Sequence, residues 1–533
     1  MNALDKMIAA VAPRAALKRA AARKGLQLLN SGYGNYGANT VKRSMVGWMY
    51  SGGDAKADIE DNLDRLRQRS RDAYMGVPLA SGTLRTMRTN TVAGGLKPTP
   101  QIDGEFLHMD TERVGQLQAQ IMREFELWAG STLCDAERID NFYQLQQLAF
   151  LGALMNGDAF ALLPMNHQQG MPYDLRVKLI EADRVCSPHL SDVIVPTTVQ
   201  GHKVYRIVQG VETDSSGMVT GYWICNRHPL ATDTGELDAW QRVEAYGKRT
   251  GRANVLHVMT RERAGQVRGV PLLAPVIEAL KQLGRYTEAE LDAAVVSAAF
   301  TIFIEKENQG EQPPFGEMLP EGAQLPMSDG TNIEVAPGAI VDLGPGEKAS
   351  APTPGRPNAN FEGFYDAMVK QIGAALEIPP EVLHKSFNSN YSAARGALNE
   401  FWRTCDVNRA WFVAKFCQPI YEAWFAEAVA RGRISAPGFF SDPAVAKAYT
   451  NCRWNGPART NLNPVQEVEA AAQRVQNGFS TAEQETAQMT GGSFAANVRQ
   501  RKIEAQMMKE VEEIAGLRQV LFAKRVPVKQ EVK

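Results

Sequence analysis

Residues 271–299 read PLLAPVIEALKQLGRYTEAELDAAVVSAA, with apolar side chains at helical spacing from end to end. About 29 residues at ~1.5 Å each give a helix spanning roughly 44 Å. The next stretch is of a different kind. FTIFIE at 300–305 is strand-like, and residues 307–357 are rich in Gly and Pro, with short strand candidates in NIEVAPGAIVDLGPG at 332–346. A second helical pattern, NFEGFYDAMVKQIGAALEI at 360–378, stops at Pro379 and Pro380. The polar loop HKSFNSNYS at 384–392 leads into a long helical stretch from Ala393 to about Gly432, where Pro419 is expected to impose a kink.

Upstream of the long helix, residues 58–91 are helical and punctuated. Leu63, Leu66, Leu79, Leu84 and Met87 recur at helical offsets, and Pro78 marks a break between two helices. Arg65, Arg67, Arg69, Arg71 and Arg85 alternate with Asp58, Glu60, Asp61, Asp64 and Asp72, a pattern that predicts a solvated, salt-bridged face. Residues 111–163 hold two more helices, the second being FYQLQQLAFLGALMNGDAFALLP. Between Leu175 and His257 the signal changes to short strands: RVKLIEA, KVYRIVQGVET, GYWICNR and ANVLHVM. The first half therefore reads as α+β, helices first and an antiparallel sheet after.

The two ends are simpler. Residues 1–30 form an Ala-rich basic arm with Lys6, Arg14, Lys18, Arg19, Arg23 and Lys24 against Asp5. SGYGNYG at 31–37 contains a literal G-x-G-x-x-G, but a dinucleotide loop needs a strand before it and a helix after it. Here the order is helical arm, then loop, so the segment reads as a linker. After WNGP at 454–457 come three helical pieces, one of them opened by Ser480 or Thr481 in FSTAEQE.

Composition bounds the function. The chain has 533 residues, 58 Lys+Arg and 59 Asp+Glu, for a net charge of −1. At ~150 residues per domain that is three to four domains. The balance argues against a protein that holds nucleic acid by neutralising phosphates over its whole surface. Six cysteines, Cys134, Cys186, Cys225, Cys405, Cys417 and Cys452, include no C-x-x-C pair, which fits buried thiols in a reducing compartment. No apolar run is long enough to span a membrane, and MIAAVA is too short for a signal peptide, so a cytosolic chain is expected. The seven histidines stand singly, and AYGKRT around Gly247 lacks the first glycine and the Ser/Thr of a P-loop. No cofactor or metal site is expected. A Ser/His/Asp site assembled in space remains open, because triads follow geometry rather than order.

The order of long helix, β-rich insertion, second helix, polar loop and long kinked helix resembles the lambda-like portal (head-tail connector) family of tailed bacteriophages. The strings carrying the resemblance are RSRDAYMGVPLASGTLRTMRTNTVAGGLKPTP (69–100), LGALMNGDAFALL (151–163), IEADRVCSP (180–188) and GVETDSSGMVTGYWI (210–224). They continue with HVMTRERAGQVRGVPLLAPVIEALKQLGRYTEAELDAAVVSAA (257–299), with the stretch from GPGEKAS to NEFWR (344–403), and with WNGPARTNLNPVQEVEAAAQRVQNGFSTAEQE (454–485). Together they cover about residues 60–510; the first 55 residues match the family only loosely.

The resemblance implies a helix-rich α+β portal fold and a homododecameric ring at one capsid vertex. Carried onto this chain, 1–55 is a basic arm and Gly-rich linker and 56–268 an α+β wing. The first stem helix is 269–299, the clip 300–360, the second stem helix 361–384 and the tunnel loop 385–392. The rest of the wing with the long kinked helix is 393–455, and the crown helices are 456–533. The implied partners are other copies of the chain, double-stranded DNA passing without sequence specificity, and the terminase large subunit. Head-completion or adaptor proteins and the major capsid and scaffold proteins complete them, with no membrane and no catalytic role.

Within that frame the stem helices carry an acidic excess. Glu278, Glu288, Glu290 and Asp292 stand against Lys281 and Arg285, and Glu362, Asp366, Glu377 and Glu381 against Lys370. Repeated around a ring, each position becomes a belt of like charge, with Glu278, Glu288, Glu290, Asp292, Glu362 and Asp366 as the channel-lining candidates. Pairing of these acids with Lys281 or Arg285 of a neighbouring copy is the competing use. Lys385, Ser386, Asn388 and Asn390 are the candidate DNA-facing loop residues, against the reading of a plain connector rich in turn formers. Trp402, Trp411, Phe412, Phe416 and Trp424 are expected to pack rather than stack on bases. A hydrolase-like enzyme and a non-viral ring-forming scaffold are the alternative classes.

Overall fold

The computed structural model describes residues 52–232, 238–299, 303–306, 347–350, 358, 360–387, 391–459 and 463–515, with short pieces at 14–15, 18–19, 22 and 42–48. Residues 1–58 form one unit, which ends in a single helical turn, Ala55–Asp58. Residues 59–533 form the other.

The larger unit begins with α1 (Leu63–Gly76) and α2 (Pro78–Thr91). Pro78 occupies the first turn of α2, where its missing N–H costs nothing, so the expected break falls there. Strand β1 (Lys97–Pro100) and helix α3 (Thr111–Ala129) come next, α3 being capped by Asp110, which accepts from the Arg113 N–H at 2.7 Å. Helix α4 (Phe142–Asn156) opens on a reciprocal capping box between Asn141 and Gln144.

Here the structure departs from the sequence reading. The apolar run predicted as one helix to Pro164 is cut at Gly157, which takes a left-handed φ of 85°, and Asp158–Leu162 becomes strand β2. Strands β3 (Lys178–Ile180), β4 (Thr197–Val199), β5 (His202–Val204), β6 (Arg206–Val208), β7 (Val211–Thr213), β8 (Val219–Cys225), β9 (Trp240–Glu244) and β10 (Val255–Met259) complete the region. They build antiparallel sheets in the orders β10-β2-β3, β4-β5 and β6-β7-β8-β9.

Helix α5 runs Ile277–Ala299. It is shorter than expected, because Pro271 and Pro275 precede it and Ala274–Val276 form a 3₁₀ turn. Strand β11 (Phe303–Lys306) pairs antiparallel with β12 (Glu347–Ser350). Most of the 300–360 insertion, including the strand candidates at 332–346, lies outside the described residues.

Helix α6 (Phe361–Leu376) ends at Glu377, which turns left-handed at φ 56°, and Pro380–His384 is a separate short helix, α7. The 361–384 segment is therefore two helices, not one. Helix α8 starts at Tyr391, so Tyr391 and Ser392 belong to it rather than to the preceding loop, and it runs to Phe412. The disruption expected at Pro419 appears as a π turn at Val413–Cys417, after which α9 (Gln418–Ala430) continues. Proline lacks an N–H and crowds the carbonyl four residues back, and the widened turn absorbs both effects. Helix α10 (Pro443–Thr450) and strand β13 (Cys452–Asn455) come next, β13 pairing with β1 in the register Lys97↔Asn455 to Pro100↔Cys452. The three expected C-terminal helices are α11 (Pro464–Gln476), α12 (Ala482–Thr490) and α13 (Phe494–Ala515). Thr481, not Ser480, caps α12.

The core is aromatic. Phe125 and Trp128 of α3 both meet Phe142 of α4, Phe125 also meets Tyr421 and Trp424 of α9 and Trp454 of β13, and Phe142 stacks on Phe416 of the π turn. Ring centroids lie 4.9 Å apart for Phe125–Trp424 and 5.8 Å for Phe125–Phe142, both edge-on, the arrangement the ring quadrupoles favour. Phe412, Phe416 and Trp424 are fully buried, Trp402 nearly so, and Trp411 is half-buried with its Nε1 donating to the Met259 carbonyl at 3.0 Å. These side chains pack within the chain, as expected.

Against expectation, Arg67 is buried. Its Nη2 donates to Asp158 Oδ2 at 2.8 Å, and Arg268 Nε reaches the same oxygen at 2.6 Å. Asp158 Oδ1 accepts from the Gly269 N–H at 2.7 Å and pairs with His257 Nε2 at 2.9 Å. Arg268 also donates to the Val185, Gln209 and Ala182 carbonyls and lies 5.0 Å above the Phe160 ring. Charge at zero exposure is thus matched on every side.

Gly157 and Gly269 make this junction possible. A Cβ on Gly269 would sit 2.0 Å from the Gly157 carbonyl oxygen, and one on Gly157 would sit 2.5 Å from Gly269 backbone. Gly269→Ala is expected to destabilise the protein by about 1–3 kcal/mol or more, because the clash is with backbone that has nowhere to move. A thermal melt coinciding with wild type would show that the junction is slack.

Candidate functional site

The charged helix pair and the loop beyond it are the candidate surfaces. Helices α5 and α6 pack antiparallel. Tyr286 stacks on Phe361 at 5.5 Å and meets Phe364 edge-on at 4.9 Å near the insertion, while the other end of α6 contacts the Ala274–Val276 turn. Leu280 and Leu283 of α5, with Val369, Ile372 and Leu376 of α6, are buried in the shared core. At 3.6 residues per turn, this leaves Lys281, Arg285, Glu288 and Asp292 on the opposite side of α5, and all four are exposed.

The six candidate acids do not form one class. Glu278, Glu288, Asp292 and Glu362 are exposed, Glu278 accepting from Gln282 Nε2 at 3.2 Å along its own helix. Glu290 turns toward the helix pair, where Asn358 Nδ2 bridges Glu290 Oε1 at 2.9 Å and the Tyr286 hydroxyl at 3.2 Å. Asp366 lies 3.3 Å from His384 Nε2 of α7 without making a hydrogen bond to it, and its side chain stays 45% exposed. Sequence reasoning missed the Glu290 tie, because its partner comes from outside the helix.

Of the loop candidates, Lys385 and Ser386 are exposed, and Asn388 and Asn390 lie outside the described residues. Lys385 closes α7 in a left-handed conformation at φ 53°. Lys385 and Phe387 border a cleft of about 460 Å³ floored by Phe401 and Trp402 of α8, with Arg85 and Asn90 of α2 on the far side.

A second charged cluster lies among the strands. Glu181, Asp183 and His228 bring possible ligand atoms within 4.8 Å of one another. Arg71 already bridges the two carboxylates, at 3.1 Å to Glu181 and closer still to Asp183, so their charge is countered within the fold. Burial alone would raise the Asp158 pKa, but Arg268, His257 and Arg67 hold it well below the usual carboxylate range. Burial lowers the His257 pKa, its bond to Asp158 opposing. These shifted groups are consumed by structural bonds.

A family model described as "Phage portal protein, lambda family" matches residues 41–409. Portal protein B of Escherichia phage lambda is 22% identical over 454 residues, covering 81% of each chain. The portal protein of Escherichia phage N15 is 21% identical over 463 residues, covering 83% of this chain and 84% of its own. Among solved structures, a chain from the neck of an empty gene transfer agent particle aligns with a TM-score of 0.40 at 14% identity, over 80% of this chain and 92% of that one. A crystal structure of an HK97 family phage portal protein from Corynebacterium diphtheriae aligns with a TM-score of 0.29 at 11% identity, over 75% of this chain and 98% of that one.

Proposed function

The chain belongs to the lambda family of phage portal proteins, and we propose that it works as a closed ring of twelve copies at one capsid vertex of the virion. Double-stranded DNA passes through the ring inward during genome packaging and outward during ejection. The protein acts as a channel and a platform, not as an enzyme. The observation that carries this reading is the family match, which spans 41–409 and takes in both α5 and α6.

In this reading α5 and α6 are the stem, residues 300–360 the clip, and 385–392 the tunnel loop. Residues 56–268 with 393–455 form the wing, and 456–533 the crown. The clip receives the terminase large subunit during packaging and head-completion or adaptor proteins afterwards, whereas the wing meets major capsid and scaffold proteins during assembly in the host cytoplasm. Exposed Glu278, Glu288, Asp292 and Glu362 face the channel and keep DNA from adhering. Glu290 is reassigned from channel lining to holding the stem, which the Asn358 contact supports, and half-exposed Asp366 stays with the channel-lining acids.

Negative-stain electron microscopy of the purified protein tests the ring: twelvefold particles with a duplex-wide hole are expected, and a compact monomer overturns the reading. Deleting Lys385–Ser392 is expected to leave rings that lose packaged DNA. Intact assembly together with full DNA retention would show that the loop is a plain connector.

A further inference from the structure

Helix α13 has a surface that the other described residues leave uncovered. Every side chain from Phe494 to Met507 is exposed, a run of nearly four turns. Yet the helix is not polar all round. At about 100° per residue, Phe494, Val498 and Ala505 fall within one stripe, and Ala496, Ile503 and Met507 fall within a second, roughly opposite the first. Phe494, Val498, Ile503 and Met507 are each between 43% and 58% exposed. Between the stripes, one flank carries Arg499, Lys502 and Lys509, and the other Asn497, Gln500, Glu504 and Arg501, with Arg501 and Lys509 bordering the Phe494/Val498 stripe on its two sides.

Two opposite apolar stripes need two partners on opposite sides. A single binding protein, or a twofold dimer, covers only one of them. A member of a closed ring has two neighbours and presents a different face to each, which is the heterologous interface. The stripes also match each other in size, level by level. Bulky Phe494 and Val498 stand at the height of small Ala496, and small Ala505 at the height of bulky Ile503 and Met507. Large-against-small alternation across facing positions is what lets two helices interdigitate.

We propose that α13 packs side by side with the α13 helices of its two neighbouring copies, the Phe494/Val498/Ala505 stripe of one against the Ala496/Ile503/Met507 stripe of the next. The result is a continuous helical collar. This rests on the ring reading above and adds to it the surface that closes the C-terminal end. The polar flanks then point inward and outward, which leaves the charges solvated.

Cysteine cross-linking of the full chain tests it. Five of the six native cysteines are buried, and burial pushes the Cys134 thiol up to about 12, so native sites react poorly with maleimide. Ile503→Cys and Ala505→Cys together in one chain, treated with a short bismaleimide, should give a ladder of multimers well beyond the dimer. Either substitution alone, and wild type, should stay monomeric on a denaturing gel. If particles are rings by electron microscopy but the double variant stays monomeric, the collar is wrong. Dimers from either single variant would likewise overturn it, since a stripe would then be meeting its own kind. Absence of rings from untreated protein would instead overturn the ring reading itself.

Discussion

Asp158→Ala is expected to be among the most damaging single substitutions in this chain, costing about 3–5 kcal/mol and lowering the melting temperature by several degrees. The reason is what it leaves behind. Arg67 and Arg268 both donate to Asp158 Oδ2, and neither side chain is more than about 1% exposed. Burial and the neighbouring Arg268 lower the Arg67 pKa to about 10 even with Asp158 raising it, so the guanidinium is charged at neutral pH in the native protein. Arg268 cannot swing out to water, because three carbonyls from the β3–β7 region hold its other nitrogens. Removing the carboxylate leaves two buried cations aimed at the space where one shared oxygen stood. Asp158→Asn keeps the shape and loses the charge, and should fall between the two.

The same cluster sets a pH dependence. His257 has its pKa lowered by burial, so the unfolded chain binds a proton at a higher pH than the native one does. Stability from this group is complete above the unfolded value of about 6.5 and declines as pH falls below it. Asp158, held far below the usual carboxylate range, adds a further loss only at strongly acid pH. Thermal denaturation from pH 8 to pH 5 should show the first decline. A flat profile in wild type, or an Asp158→Ala melt matching wild type, would remove the network from the account of stability.

Much of this fold was legible because local chemistry and tertiary structure agree. Pro78 ends one helix and starts the next, and Thr481 opens α12, each a local rule that packing leaves undisturbed. Reading failed where partners come from far along the chain. In the run from Phe142 to Pro164 a buried helix and a buried strand look alike in hydrophobicity, and only Gly157 signals the change. The arginines of α1 alternate with acids as a solvated face does, yet Arg67 turns inward because Asp158, 91 positions on, sits opposite it. One candidate channel acid has a tie hidden for the same reason: Glu290 is claimed by Asn358, 68 positions away. An acid on a helix shows its charge in sequence but not its neighbour.

Reversing Glu288 and Asp292 to lysine is expected to stall DNA in the ring. The two acids share the exposed face of α5 with Lys281 and Arg285, which sit about one to three turns earlier. That face is basic at one end and acidic at the other, so in the proposed channel a passing duplex would meet attraction and repulsion in turn. The double reversal turns it into an unbroken basic stripe and shifts the charge by about four units per copy, multiplied around the ring. Each phosphate neutralised steepens the dependence of log K on log salt by about 0.9, so a handful of new contacts changes affinity by orders of magnitude at low salt. Packaging should therefore slow by about tenfold or more in dilute buffer and recover as salt screens the stripe. Glu288→Gln with Asp292→Asn, which removes repulsion without adding attraction, should slow it far less. The competing use of these acids, pairing with Lys281 or Arg285 of the next copy, makes the opposite pattern. Both double variants would then weaken ring assembly itself, visible before any DNA is added. Intact rings that package at the wild-type rate after charge reversal would take α5 out of the channel wall altogether.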